Sequence, residues 1–462
     1  MKKKMWSSVA ASGLVLSVLA GCGTAETGTS NQPAAGGSGQ AAGSAPVEIK
    51  LHTYGTEATY NWKKTIDGFQ QKFPNIKVSV VELSAKGDTQ EAGKKLDLAV
   101  ASGEALDVIM FSDPAGYAQR VGLGMAEPLD AFIAKDGGYK VEEEYKVDTR
   151  LNGKVYALPG KFNPWYVLLN KDMLDQAGLQ VPKDWTWDQF ADYAKKLTKG
   201  EGANKVYGTY FHGPQNGGWM EYMKLAMVNQ LDNSEFLKAD GTSNMEDPNF
   251  KKTLELRWKM EKEDKTAFPY ESVISQKPAY RNMLFNQKTA MLMIGSWMNT
   301  EIGGTDQTPL NFNIAVAPIP KNNASDNGGY TPVTTDFVAV AASSKHKEEA
   351  YKFVRWYTTE GQMVQGKNVP SWSKVSNDDL GKIIDTILSG TKSPDKVDKA
   401  SLISTLAASK ASKLIPPVAY QNEVYKAVNE EFEKFIFAKQ DLNATVKGTH
   451  ERVQQIIASN KK

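Results

Sequence analysis

Apolar and polar residues alternate along residues 47–53, Val-Glu-Ile-Lys-Leu-His-Thr, with the two-residue period of a half-buried strand. The period then lengthens. Trp62, Ile66, Phe69 and Phe73 recur at i, i+4, i+7 and i+11, which predicts a helix that Pro74 stops. Ile76, Val78 and Val80 alternate again as a second strand. A helical stretch carrying Leu96, Ala99 and Val100 closes at Gly103. Residues 107–111 form a short apolar strand that opens into Ser112-Asp113-Pro114. This β-α-β-α-β order predicts an open parallel sheet covered by helices.

Further along, Thr186 and Gln189 make a capping box, and Trp187, Phe190, Ala194 and Leu197 follow on one helical face. Ser344 is the predicted cap of a helix striped by Ala350, Phe353, Val354 and Tyr357. Val424, Val428, Phe432 and Phe435 stripe another. Residues 290–294, 312–317 and 337–341 read as strands between them. Trp62, Trp187, Trp258 and Trp356 belong to helical patterns and are assigned to packing.

The N-terminus follows a different logic. Lys2-Lys3-Lys4 precedes an apolar run from Met5 to Ala20, too short and too broken by Ser and Gly to span a bilayer. It ends Leu19-Ala20-Gly21-Cys22, a string similar to the lipobox of bacterial lipoproteins, and Cys22 is the only cysteine. Residues 1–21 are therefore expected to be a signal peptide and Cys22 the lipidated residue. Of the 24 residues 23–46, twenty are Gly, Ala, Ser, Thr or Pro, so 22–46 reads as a flexible tether. The expected location is the outer face of the cell membrane, held by two acyl chains of a diacylglycerol anchor.

Length and composition narrow the classes. A chain of 462 residues exceeds one ordinary core and fits two lobes. The formal charge is +2, and loss of Lys2, Lys3 and Lys4 takes it to −1. No global field gathers nucleic acid. One cysteine and four scattered histidines (His52, His212, His346, His450) give no metal-site spacing, and no metal or other cofactor is expected. Residues 361–368 nearly fit a phosphate-binding loop, but Asn368 stands where Ser or Thr is needed and the preceding pattern is helical. A helix end is the better account.

The ten tryptophans are more telling. Trp165 follows Asn163-Pro164, Trp219 follows Gly217-Gly218, Trp297 follows Gly295-Ser296 and Trp372 follows Pro370-Ser371. Tyr54 ends the first strand before Gly55. Each ring sits at a predicted element end beside small or turn-forming residues. An indole offers a wide apolar face with an N–H at its edge, which suits the C–H face of a pyranose. Asp113, Asn163 and Asp336 occupy similar predicted loops and can take hydroxyls. These eight residues are the candidate ligand site. Paired carboxylates also serve glycoside hydrolysis, but 53 acids give no particular pair distinction.

Several ordered segments carry a wider resemblance. They include Asp107-Val108-Ile109 with Gly116-Tyr117-Ala118-Gln119, and Leu169-Asn170-Lys171-Asp172-Met173-Leu174 with Ala177-Gly178-Leu179. Phe285-Asn286-Gln287-Lys288-Thr289-Ala290-Met291 leading to Gly295-Ser296-Trp297, and Ala315-Val316-Ala317-Pro318-Ile319-Pro320, continue the series. Over about residues 47–458 the chain resembles the family 1 extracellular solute-binding proteins of ABC importers, including sugar-binding lipoproteins related to maltose-binding protein. The resemblance implies an α/β, two-lobed periplasmic-binding-protein-like clamp. Each lobe would be an open, mostly parallel sheet flanked by helices, with crossing hinge strands between. It places the crossings near residues 157–163, 318–330 and 369–372. Lobe one is then 47–158 plus 321–369 and lobe two 159–320 plus 370–460. It also implies ligand contacts at Tyr54, Asp113, Asn163 and Trp297.

The function expected is non-enzymatic: a monomeric receptor that captures an oligosaccharide by hinge closure and delivers it to an ABC permease. The alternatives are the same fold holding a polyamine or sugar phosphate, and a secreted glycosidase.

Overall fold

The computed structural model describes residues 46–85, 87–214, 218–412, 418 and 420–460. The expected signal peptide, Cys22 and nearly all of the expected tether lie outside the described residues. No helix among the described residues is long and apolar enough to cross a membrane.

Two five-stranded sheets organise the body, the second counting Val333–Thr334, which pairs antiparallel with Asn163–Pro164. In the first, the strands run in the order Ile76–Glu82, Val47–Thr53, Val108–Phe111, Phe337–Val340, Leu158–Pro159. The first three are parallel, as the β-α-β-α-β pattern predicts, but Phe337–Val340 pairs antiparallel to both of its neighbours. The second sheet runs Ile314–Pro318, Asn163–Asn170, Thr289–Gly295, Tyr207–Tyr210, with only its last pair parallel. The sheets are therefore mixed rather than mostly parallel. Late segments of chain return to sheets begun much earlier, so no direct β-α-β crossover fixes their direction there.

The helices pack where their stripes demand. The helix Trp62–Lys72 buries Trp62 and Phe69. The helix Lys347–Trp356 buries Ala350, Phe353 and Val354 against the same core. Its N-cap is His346, not Ser344; the Ser344 hydroxyl accepts the His346 N–H and donates to Asp107. The Thr186–Gln189 capping box is formed. Residues 357–365 are helical, and the helix stops at Gly366 with φ 65°, so the phosphate-loop resemblance is a helix end. Trp62, Trp187 and Trp356 are buried, and Trp258 packs half-buried on the second core.

Three chain segments join the sheets. Residues 160–163 bond to Val369 and Ser371 on one side and, through Asn163, to Thr334 on the other. Residues 321–331 stay with the second sheet's side: Lys321 bridges Thr186, Asn322 bonds the Ala226 carbonyl, and Tyr330–Thr331 pairs with Lys410–Ala411. The chain enters the first sheet only at Phe337.

Candidate ligand-binding site

Strand period places Lys161, Asn163 and Trp165 on one face of the crossing segment, while Phe162, Tyr166 and Leu168 enter the opposite core. Trp165 is not in a loop: the strand begins at Asn163, and Trp165 lies opposite Gly295 on the neighbouring strand. A Cβ on Gly295 would collide with the Trp297 ring. Its absence lets that half-buried ring fold back to meet Trp165 edge-on, with centroids 5.3 Å apart. Tyr222 meets the other side of Trp165 at 5.5 Å. Gly218, at φ 75°, brings its backbone against the same indole. Trp165 is 1% exposed and its Nε1–H has no hydrogen-bond partner among the described residues. A desolvated, unpaired N–H costs about 1–3 kcal/mol. Asn163 accepts a hydrogen bond from Ser296 at 3.3 Å, and Trp219 opens the short helix that carries Tyr222. Four of the eight candidates thus form one group: Asn163, Trp165, Trp219 and Trp297.

Tyr54 and Asp336 form a second group, turned inward. Asp336 is fully buried. It accepts hydrogen bonds from Tyr54 and from Tyr60, and pairs with Lys161 at 2.9 Å. Lys161 also donates to Tyr54 at 2.9 Å and to Tyr60 at 2.7 Å, which uses all three of its protons. Burial, then the Asp336 carboxylate, pushes both phenols far above their ordinary range. The sequence reading missed Tyr60 and Lys161, although Lys161 lies two residues before Asn163 on the same strand face.

Of the remaining candidates, Trp372 stands apart and Asp113 shares only a small pocket of about 20 Å³ with Tyr54. Trp372 donates its indole N–H to Glu144 at 2.9 Å and packs half-buried on the first core. Asp113 caps the helix Pro114–Gly122, its carboxylate accepting the Gly116 N–H at 2.7 Å.

Asp113 is also the one candidate that lines the large cleft, a cavity of about 950 Å³. One wall is built from residues 113–156, the other from residues 221–241 and 411–425, and Pro332–Thr334 lies between. The turn Trp219–Met223 links this cleft to the aromatic group, since Glu221 lines the cleft while Tyr222 packs on Trp165. Glu221 and Glu235 both close on Lys224, at 3.1 and 2.9 Å. Burial pushes Glu221 up from the usual carboxylate range. No group of three or more His, Cys, Asp or Glu among the described residues is arranged to hold a metal ion.

Comparison with known proteins agrees with this architecture. An open-conformation structure of a sugar transporter from Rhizobium etli superposes with a TM-score of 0.70 over 88% of this chain and 99% of that one, at 22% identity. The multiple sugar-binding protein of Streptococcus mutans is 26% identical over 333 residues, 69% of this chain and 72% of its own. Relatives from Brucella, named as binding proteins, are 26% identical over 229 residues, so the match spans about half their length, 53%. The model of the bacterial extracellular solute-binding proteins matches residues 52–364. With two mixed α/β sheets, crossing segments and a cleft between, the chain belongs to that family.

Proposed function

We propose that this protein is the sugar-capturing receptor of an ABC importer. The observation that carries this reading is the 950 Å³ cleft, whose two walls are segments packed on different hydrophobic cores and whose connecting segment is a crossing strand. A ligand touching both walls stabilises the closed arrangement relative to the open one. Lobe one is then 47–158 with the later segment to 369, and lobe two 159–320 with 370–460; the contacts of residues 321–331 support moving the boundary from 321 to Pro332. An oligosaccharide matches the cleft's size and its mixture of tyrosines, amides and carboxylates. The aromatic group around Trp297 is the stacking platform at its edge. The receptor is a monomer, hands its ligand to a permease and stays on the membrane through lipidated Cys22.

The test is a thermal-shift screen of residues 47–462 against oligosaccharides, hexitols, polyamines and sugar phosphates, with product analysis of each mixture. A saturable rise in melting temperature with a sugar, and no turnover, is the expected result. Hydrolysis products would replace the receptor with a glycosidase. Cys22→Ser should move the full-length protein from the membrane fraction to the soluble one.

A further inference from the structure

The segment 140–150 of the cleft wall is crowded with charge, and all but one of its cations have partners. Glu143 pairs with Lys140, and Glu142 and Asp148 both pair with Arg150. Glu144 pairs with Arg355 and Lys374. Lys146 stands among them with no carboxylate in ion-pair reach among the described residues. Its backbone is pinned by a 2.8 Å bond from its N–H to the Ser371 carbonyl. Its ammonium lies 5.1 Å from the centre of the Phe162 ring and lines the cleft. Burial pushes its pKa down from the usual lysine range.

The other charges of the cleft are accounted for. Glu221 and Glu235 hold Lys224, whose side chain is 4% exposed, and Asp113 caps its helix. Lys238 is exposed and solvated at the rim. A half-buried ammonium without a counter-ion is a standing electrostatic cost, and a group that restores the pairing gains what the fold has left unmade.

On the receptor reading above, we propose that Lys146 is the recognition group for an anionic substituent, a carboxylate or phosphate, carried by a hydroxyl-rich ligand in this cleft. Thr334, Asn152 and Gln421, which line the same cavity, take the hydroxyls. The ligand class is therefore acidic sugars, such as uronic-acid oligosaccharides or sugar phosphates, rather than neutral ones.

The experiment measures affinities by tryptophan fluorescence and calorimetry for uronic-acid trisaccharides, their neutral carboxyl-reduced counterparts and hexose phosphates. At low salt an acidic member should bind at least about tenfold more tightly than its neutral counterpart, and added salt should weaken it. Lys146→Met, which keeps the aliphatic stem over Phe162 and removes the unpaired charge, should abolish that preference without lowering the melting temperature or weakening binding of a neutral sugar. Lys146→Arg should restore the preference in part. The uronate and phosphate arms tell the two sources of negative charge apart. Neutral sugars binding as tightly as acidic ones, or a preference that survives in Lys146→Met, would overturn the proposal and leave the sugar receptor standing. Binding by no sugar, acidic or neutral, would overturn both.

Discussion

At the scale of single residues, the same amino acid does opposite work depending on what lies across from it. Trp165 and Trp297 touch, yet one is sealed in and the other half-exposed. Trp165→Ala would empty a core position, a loss of about 3–5 kcal/mol that confounds any binding measurement. Trp297→Ala is the cleaner probe. It should weaken sugar binding about tenfold, ~1.4 kcal/mol, in a titration, with little change in melting temperature. Unchanged affinity would remove Trp297 from the site. The oddity of these tryptophans was legible in the chain, since no helical stripe required them. Their exposure was not, because it depends on Gly295 and Gly218, which look like turn residues but serve to admit a ring. Tyr54 and Asp336 show the converse. Their positions at strand ends point to a ligand, but Tyr60 and the distant Lys161 claim their polar atoms.

At the scale of elements, amphipathic helices announced themselves and buried strands did not. The strand Asn163–Asn170 is buried at every position, with Val167 and Leu169 in one core and Tyr166 and Leu168 in another. A strand covered on both faces has no alternation to read, which is why its first three residues pass for a loop. Pro164, lacking an N–H, is tolerated because it sits at the strand's start. The third crossing is held by side chains as well as by backbone bonds. Burial alone would raise the Glu144 pKa, but hydrogen bonds from Arg355, Trp372 and Lys374 outweigh it and hold the pKa at about 2. This anchors residues 372–374 to the first core. Because the folded pKa lies below the unfolded value of about 4.3, the stabilisation is complete above that pH and is lost as pH falls towards about 2. Its size is on the order of 3 kcal/mol. Acid titration of the melting temperature should show Glu144→Gln less stable than the parent near neutrality, with the gap closing below about pH 4. A constant gap would assign the loss to packing.

At the scale of the molecule, two lobes follow from length and composition, whereas the interlacing of early and late chain comes only from the family resemblance. No local pattern tells a strand such as Phe337–Val340 that its partners were laid down about 180 and about 230 residues before. Scattering measurements should detect the clamp directly, as a saturable fall in radius of gyration when a bound sugar draws the lobes together. An unchanged radius at saturation would count against hinge closure.

The strand Phe337–Val340 also sets a timetable. Until it arrives, Val108–Phe111 has an open edge and Leu158–Pro159 has no neighbour in the sheet. The pairing of Val338 with Met110 closes a very long loop, the kind of contact that slows folding. The first lobe to begin thus waits for a strand from late in the chain. A chain that has left the cytoplasm only as far as Thr331 carries an unpaired apolar strand, exposed to aggregation and to proteases of the envelope. The binding clamp, one wall of which includes residues 411–425, exists only once more than nine-tenths of the chain has crossed, so folding of this protein is decided by its late segments rather than by its leading end.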